Sequence, residues 1–125
     1  MTKTTEKHNK NSLNLDLLTT YEILKVINNE DSKVPDVIKN QLVSIVELID
    51  DIVPLLKNGG KLYYVGCGTS GRLGVLDAAE CPPTFGVENN MINGIIAGGY
   101  NALIKSVEGA EDSQNDGKRA IVKEN

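Results

Sequence analysis

Gly66-Cys67-Gly68-Thr69-Ser70-Gly71-Arg72 packs three glycines, two hydroxyls and a cation into seven residues. A run of this kind, placed between a strand and a helix, is a device for holding an anion. Glycine lets the backbone come close to a ligand and take positive φ. The unpaired N–H groups at a helix start point outward, and the helix dipole adds about half a positive charge. Thr69 and Ser70 supply hydroxyl donors, and Arg72 supplies a cation. The expected ligand is a phosphate, held by Gly68, Thr69, Ser70, Gly71 and Arg72. The bland alternative is a tight strand–helix turn with no ligand.

Gly66, Gly68 and Gly71 also satisfy G-x-G-x-x-G, the dinucleotide pattern. In a dinucleotide fold the next strand ends in an Asp or Glu for the ribose. Here the second strand ends Ile96-Ala97-Gly98-Gly99, with no carboxylate. The Gly-Lys-Ser/Thr of a nucleotide P-loop is missing too. A monophosphate, such as a sugar phosphate, fits the loop better, and a nucleotide-binding oxidoreductase is a distant third reading.

Carboxylates follow each strand. Asp77 and Glu80 come after the loop, and Glu108, Glu111 and Asp112 come after the second strand. In open α/β sheets ligands bind beyond the carboxyl ends of the strands. Two carboxylates converging there could act as general acid and base. Solvated acids on helix faces are the plain alternative. Glu80 is the stronger candidate, because a Cys81-Pro82-Pro83 turn fixes its backbone, whereas Asp77 is expected on a helix surface. His8 stands alone and reads as a solvated side chain.

The elements that must position these groups divide the chain in two. Residues 1–15 are Thr-, Lys- and Asn-rich and read as a flexible arm. Residues 16–58 read as a helical segment. Thr19 or Thr20 caps a first helix, which stops at Asn28-Asn29. Asp31 or Ser32 then caps a long second helix with Pro35 in its first turn. Its apolar residues Ile38, Leu42, Ile45, Ile49, Ile52 and Leu56 form one stripe. That stripe is either internal core or a subunit interface, and a homodimer is the expected assembly. Pro54 should kink the helix end, and Gly59-Gly60 should stop it.

From residue 59 the pattern becomes strand, glycine loop, helix, strand. Leu62–Val65 is a short β-prone apolar run, as a buried parallel strand should be. The helix after the loop is expected over Leu73–Ala79 and to end at Cys81-Pro82-Pro83. Met91–Ala97 reads as the second strand, Ala102–Val107 as the next helix, and Ser113–Asn125 as a helical or frayed tail. The fold class is α/β.

Composition sets the outer limits. The chain has 125 residues, about one ordinary domain, and a net charge of −4. That charge argues against nucleic acid, which needs a clustered basic surface. Apolar residues make up 40%, so wholesale disorder is not expected. No apolar run approaches the length of a membrane span, and the polar N-terminus is no secretory signal. Cys67 and Cys81 are too few and too far apart for a redox or zinc motif, and read as reduced thiols in the cytoplasm.

The run Gly66–Gly86 as a whole, G-C-G-T-S-G-R-L-G-V-L-D-A-A-E-C-P-P-T-F-G, resembles the signature of the N-acetylmuramic acid 6-phosphate etherases. Ile95-Ile96-Ala97-Gly98-Gly99 and Val107–Asp112 are similar to later family segments, and Ile27–Pro35 to an earlier one. The resemblance covers Leu15 to about Ser113. It implies a sugar isomerase (SIS) fold, a parallel sheet sandwiched by helices. It implies cleavage of the D-lactyl ether of a sugar phosphate in cell-wall sugar recycling, with no cofactor and no metal. It places the acid–base pair on Glu80, as proton donor, and Glu111, and phosphate-binding hydroxyls on Thr69 and Ser70. A non-catalytic sugar-phosphate-binding regulator of the same fold is the competing expectation.

Two departures stand out. The family's arm reads T-E-x-R-N-P, whereas this chain has Thr5-Glu6-Lys7-His8-Asn9-Lys10. Family members are also longer, with a second serine-containing phosphate loop and more strands. Two strands cannot form a stable, doubly covered sheet. Residues 59–125 are therefore expected to be the front of a SIS domain, with apolar edges on both strands.

Overall fold

The structure is a computed structural model that describes residues 7–123. Thr5 and Glu6 of the arm lie outside the described residues. The chain forms two compact units, residues 1–49 and 50–125.

In the first unit, α1 spans Thr20–Asp31, and Thr19 starts it with a capping box. The Thr19 hydroxyl oxygen accepts from the Glu22 N–H (3.4 Å), and the Glu22 carboxylate accepts from the Thr19 N–H (2.8 Å). Two orphan donors are satisfied at once. The Thr19 hydroxyl also donates to the Glu22 carboxylate (2.7 Å), and this bond, then the one from the Thr19 N–H, holds the Glu22 carboxyl below its ordinary range. Thr19→Ala is expected to cost about 1 kcal/mol, read as a lower urea midpoint at unchanged slope.

Helix α1 runs past Asn28-Asn29 to Asp31. Ser32 does not cap the next helix with its side chain; its hydroxyl donates back to the Asn28 carbonyl (2.7 Å). Helix α2 is Lys33–Lys39 and α3 is Leu42–Lys57. The single long helix expected from the stripe is thus two. The Gln41 N–H turns back to the Ile38 carbonyl (2.8 Å), and this tight bond ends α2. The stripe hid the break because Ile38 and Leu42 flank it at an ordinary helical spacing.

Part of the expected flexible arm is tied down. The Asn11 amide donates to Glu30 (2.8 Å), which also receives the Lys33 ammonium. The bond from Lys33, then those from Asn11 and Asn9, hold the Glu30 carboxyl down at about 2.

In the second unit, α3 continues through Pro54 and ends in a Schellman turn. The Gly60 N–H reaches the Leu55 carbonyl (2.9 Å) and the Gly59 N–H the Leu56 carbonyl (3.0 Å). Gly59 takes φ +84°, which a side chain would resist. Strand β1 (Leu62–Gly66) then pairs in parallel with β2 (Ile92–Ile96), Leu62 opposite Ile92 and Gly66 opposite Ile96. The crossover is α4, Gly68–Phe85.

Helix α4 departs from expectation at both ends. Its first turn is the glycine run itself, so Gly68–Arg72 is helix rather than loop. Its last turn contains Pro82 and Pro83 instead of stopping before them. Those prolines leave the carbonyls of Ala78 and Ala79 without helical donors. Cys81 in that turn is packed, only 5% exposed. The helix ends one turn later at Gly86, whose N–H donates to the Pro82 carbonyl (2.9 Å).

Helix α4 lies on the sheet through glycine contacts. A Cβ on Gly71 would sit 2.6 Å from the Gly66 oxygen and 2.7 Å from Ile96 Cγ1. One on Gly74 would meet Tyr64 Cβ at 2.7 Å, and one on Gly94 would meet Val75 Cα at 2.6 Å. Three glycines therefore set the helix–sheet spacing.

After β2 come α5 (Asn101–Ile104), shorter than the expected Ala102–Val107 helix, and α6 (Gln114–Lys123). The polar tail is thus a helix, and Ser113 starts it by accepting from the Asp116 N–H (3.3 Å). Among the described residues, the buried hydrophobic side chains are Cys81, Ile96 and Ala102, while Val65 on β1 is 55% exposed. No helix among them is long and apolar enough to cross a membrane.

Candidate active site

Parallel pairing brings the carboxyl ends of β1 and β2 to one level. The Ala97 N–H extends the ladder to the Gly66 carbonyl (2.9 Å). The chain leaves β1 through Cys67, the N-cap of α4, whose side chain makes no capping bond. Gly68 follows with φ +55°, a left-handed conformation that opens the helix start. The N–H groups at a helix start have no intrahelical partner. Those of Gly68, Thr69 and Ser70 fall in this class, whereas Gly71 N–H already donates to the Cys67 carbonyl (3.2 Å). The result is an anion-binding helix end on the carboxyl side of the sheet.

A cavity of about 180 Å³ lies against this end, lined among others by Cys67, Gly68, Arg72, Ala97, Glu108 and Glu111. A larger open cavity of about 980 Å³ adjoins the strand ends and is also lined by Cys67, Glu108 and Glu111. Of the expected site residues, Gly68, Arg72 and Glu111 therefore meet at one cavity. Thr69 and Ser70 are exposed on the first turn of α4 and line neither cavity. Gly71 is buried beneath that turn. Glu80 lies twelve residues along α4 from Gly68, about 18 Å at the helical rise, and is exposed. It lines neither cavity and is not brought to Glu111 by this arrangement.

Two cavity residues carried no site expectation from the sequence. Cys67 sits directly ahead of the helix start, a position that was visible once Gly68 is read as helical. Glu108 was noticed only as one of three acids; the turn at Gly109 brings it to the cavity with Glu111.

Asp77 has a local partner. A hydrogen bond to its carboxylate, then burial, then its charge raise the Tyr64 phenol above its ordinary value. Burial and the same charge push the Cys81 thiol up. A phenol whose folded value is raised contributes stability below the unfolded value near 10 and loses it as pH climbs through the folded value. The melting temperature should therefore fall between pH 9 and 11 more steeply for the protein than for Tyr64→Phe. Equal slopes would remove this bond from the alkaline transition.

Curated relatives extend these observations. The chain is 52% identical over 121 residues to an N-acetylmuramic acid 6-phosphate etherase of Clostridium acetobutylicum, covering 97% of this chain and 40% of the relative. Etherases of the same description from Actinobacillus pleuropneumoniae and Glaesserella parasuis are 53% and 54% identical over 117 residues, each covering 94% of this chain and 38% of the relative. The chain thus spans about 40% of the length of the relatives it matches. Residues 44–125 match the family described as the glucokinase regulatory protein N-terminal SIS domain. That stretch holds both parallel strands, the glycine turn and α4, so the α/β architecture and the sequence agree: the chain belongs to the family of the glucokinase regulatory protein N-terminal SIS domain.

Proposed function

We propose that this protein works as an N-acetylmuramic acid 6-phosphate etherase, a carbon–oxygen lyase of cell-wall sugar recycling, acting in the cytoplasm as a homodimer. The observation that carries the reading is the meeting of the α4 helix start and Glu111 at one cavity beyond the strand ends. An anion anchor and a carboxylate on the same cavity fit a phosphorylated substrate that needs proton transfer. The names of the relatives supply the substrate.

The chemistry follows from the sugar. Ring opening gives a C1 aldehyde, which makes the C2 proton acidic. A base removes that proton, and the electrons left at C2 form a C2–C3 double bond as D-lactate departs from C3 with a proton from an acid. Water then adds its oxygen to C3 and a proton returns to C2. The sum is substrate plus water giving N-acetylglucosamine 6-phosphate plus D-lactate. The N–H groups of Gly68, Thr69 and Ser70 and the two hydroxyls hold the phosphate, above the close contact that Gly71 permits. Arg72 lies at the same helix end, with its Nε–H given to the Leu103 carbonyl. Glu111 at this cavity takes one of the proton transfers; Glu80 is assigned as proton donor from the resemblance to the etherases alone, since it stands exposed along α4 and lines neither cavity. No cofactor or metal enters these steps.

The test is release of D-lactate from N-acetylmuramic acid 6-phosphate in ¹⁸O-labelled water. Equal formation of D-lactate and of sugar phosphate labelled at C3 is the expected result. The matched family carries the name of a regulatory protein, and that favours one second reading, a non-catalytic sugar-phosphate-binding regulator. Tight sugar-phosphate binding with no lactate released would establish the regulator and sink the etherase.

A further inference from the structure

We propose that Arg72 is a positioning residue, which holds the end of α5 and through it keeps the Glu108–Glu111 turn against the helix start of α4. The proposal rests on the functional reading above and assigns a role within that site. Its basis is one long-range bond. The Arg72 Nε–H donates to the Leu103 carbonyl at 3.1 Å, part-buried, between residues 31 apart in sequence.

Both partners have reason to keep that bond. Helix α5 has only four residues, so most of its carbonyls lack helical donors. The Asn101 carbonyl is met by the Lys105 N–H (3.0 Å), and the Leu103 carbonyl is met by Arg72. Ala102, next to it, is buried, so the carbonyl sits where water competes poorly. A guanidinium is a rigid planar fork. Committing Nε to Leu103 fixes the plane of the whole group, and Arg72 lines the cavity with Gly68 and Glu111.

The geometry downstream explains what is positioned. The chain leaves α5 through Lys105 in extended conformation and turns at Gly109. Glu108 and Glu111, on either side of that turn, line the cavity with Arg72. Nine residues lie between Leu103 and Ser113, which precedes α6, and α5 is one turn long. Val107 lies close over Gly98, and the bond from α4 is the polar tie that fixes where this segment leaves α5. Lysine could offer one charge, but it cannot hold Leu103 and face the cavity with a second fixed donor.

The experiment compares Arg72→Lys and Arg72→Met with the unaltered protein in two readouts. Amide hydrogen exchange without ligand should speed up about tenfold or more over residues 105–113 in Arg72→Met, with little change in β1 and β2. In lactate release, kcat should fall about 100-fold while KM changes only a few-fold, because a displaced carboxylate costs the chemical step rather than binding. Arg72→Lys should restore less than half of either loss. A rise in KM at unchanged kcat, with exchange over 105–113 unaffected, would make Arg72 a direct phosphate ligand and overturn the proposal. If the protein releases no lactate at all, the exchange readout still decides the positioning role, and the failure belongs to the etherase reading alone. Exchange rising equally throughout the unit would also overturn it, by showing a general loss of stability.

Discussion

Gly71→Ala should destabilise the second unit by about 1 to 3 kcal/mol, although alanine is the better helix former. In an exposed helix interior, replacing glycine by alanine gains about 0.5–1 kcal/mol. At Gly71 the added methyl would sit 2.6 Å from the Gly66 oxygen and 2.9 Å from its carbonyl carbon. Those atoms are strand backbone and cannot rotate away as a flexible side chain can. Relief requires α4 to lift from β1, which also breaks its contact with Ile96, itself 8% exposed. Overpacking therefore outweighs propensity. Gly117→Ala provides the opposite sign. It lies in α6 with nothing within 4 Å of the new methyl, so it should stabilise by about 0.5–1 kcal/mol. Urea denaturation of both variants checks the pair. A stable Gly71→Ala protein with an unchanged midpoint would show that the helix–sheet spacing is not set there.

This glycine also marks where sequence reasoning stops. The strand–glycine–helix order, the parallel pairing and a cap at Thr19 or Thr20 follow from local grammar; the structure has the first two and settles the cap on Thr19. Glycine type alone does not say why a glycine is needed. Gly66, Gly68 and Gly71 read together as an anion cradle, yet only Gly68 takes positive φ; the other two provide clearance between β1 and α4. That clearance is a tertiary quantity, set by residues far apart in the chain. The two prolines of α4 are misread for a similar reason. Their local penalty is real, yet the last turn of α4 forms around a buried Cys81, and that burial is a tertiary feature. The short α5 and the Arg72–Leu103 bond leave no periodic trace at all, since one turn of helix and one contact across 31 residues have no spacing to detect. For the candidate site, the glycine run between strand and helix and the placement of Glu111 after the second strand were legible, but the point at which α4 starts was not. The position of Glu80 along α4 was not, because the sequence ended the helix too early and started it too late.

Glu111→Gln and Glu80→Gln should each lower kcat/KM for lactate release by about 10²- to 10⁴-fold, the range that general acid–base groups contribute. Glutamine keeps the shape and hydrogen-bonding reach of glutamate but cannot carry the proton. Affinity for the sugar phosphate should stay within a few-fold, because the proposed anchor is the helix start of α4 and contains neither residue. The two variants should differ in a second measurement. On the proposed mechanism, the C2 hydrogen of N-acetylglucosamine 6-phosphate should exchange in heavy water whenever the C2 base works, with or without lactate. Loss of the base abolishes exchange and elimination together. Loss of the proton donor leaves exchange running and blocks only departure from C3. Glu111 lines the cavity and Glu80 stands exposed along α4, so the expected pattern is loss of both activities in Glu111→Gln and retained exchange in Glu80→Gln. Undiminished lactate release by Glu80→Gln would remove it from the mechanism and leave its proton transfer to another group, of which Glu108 at the same cavity is the nearest candidate on this chain.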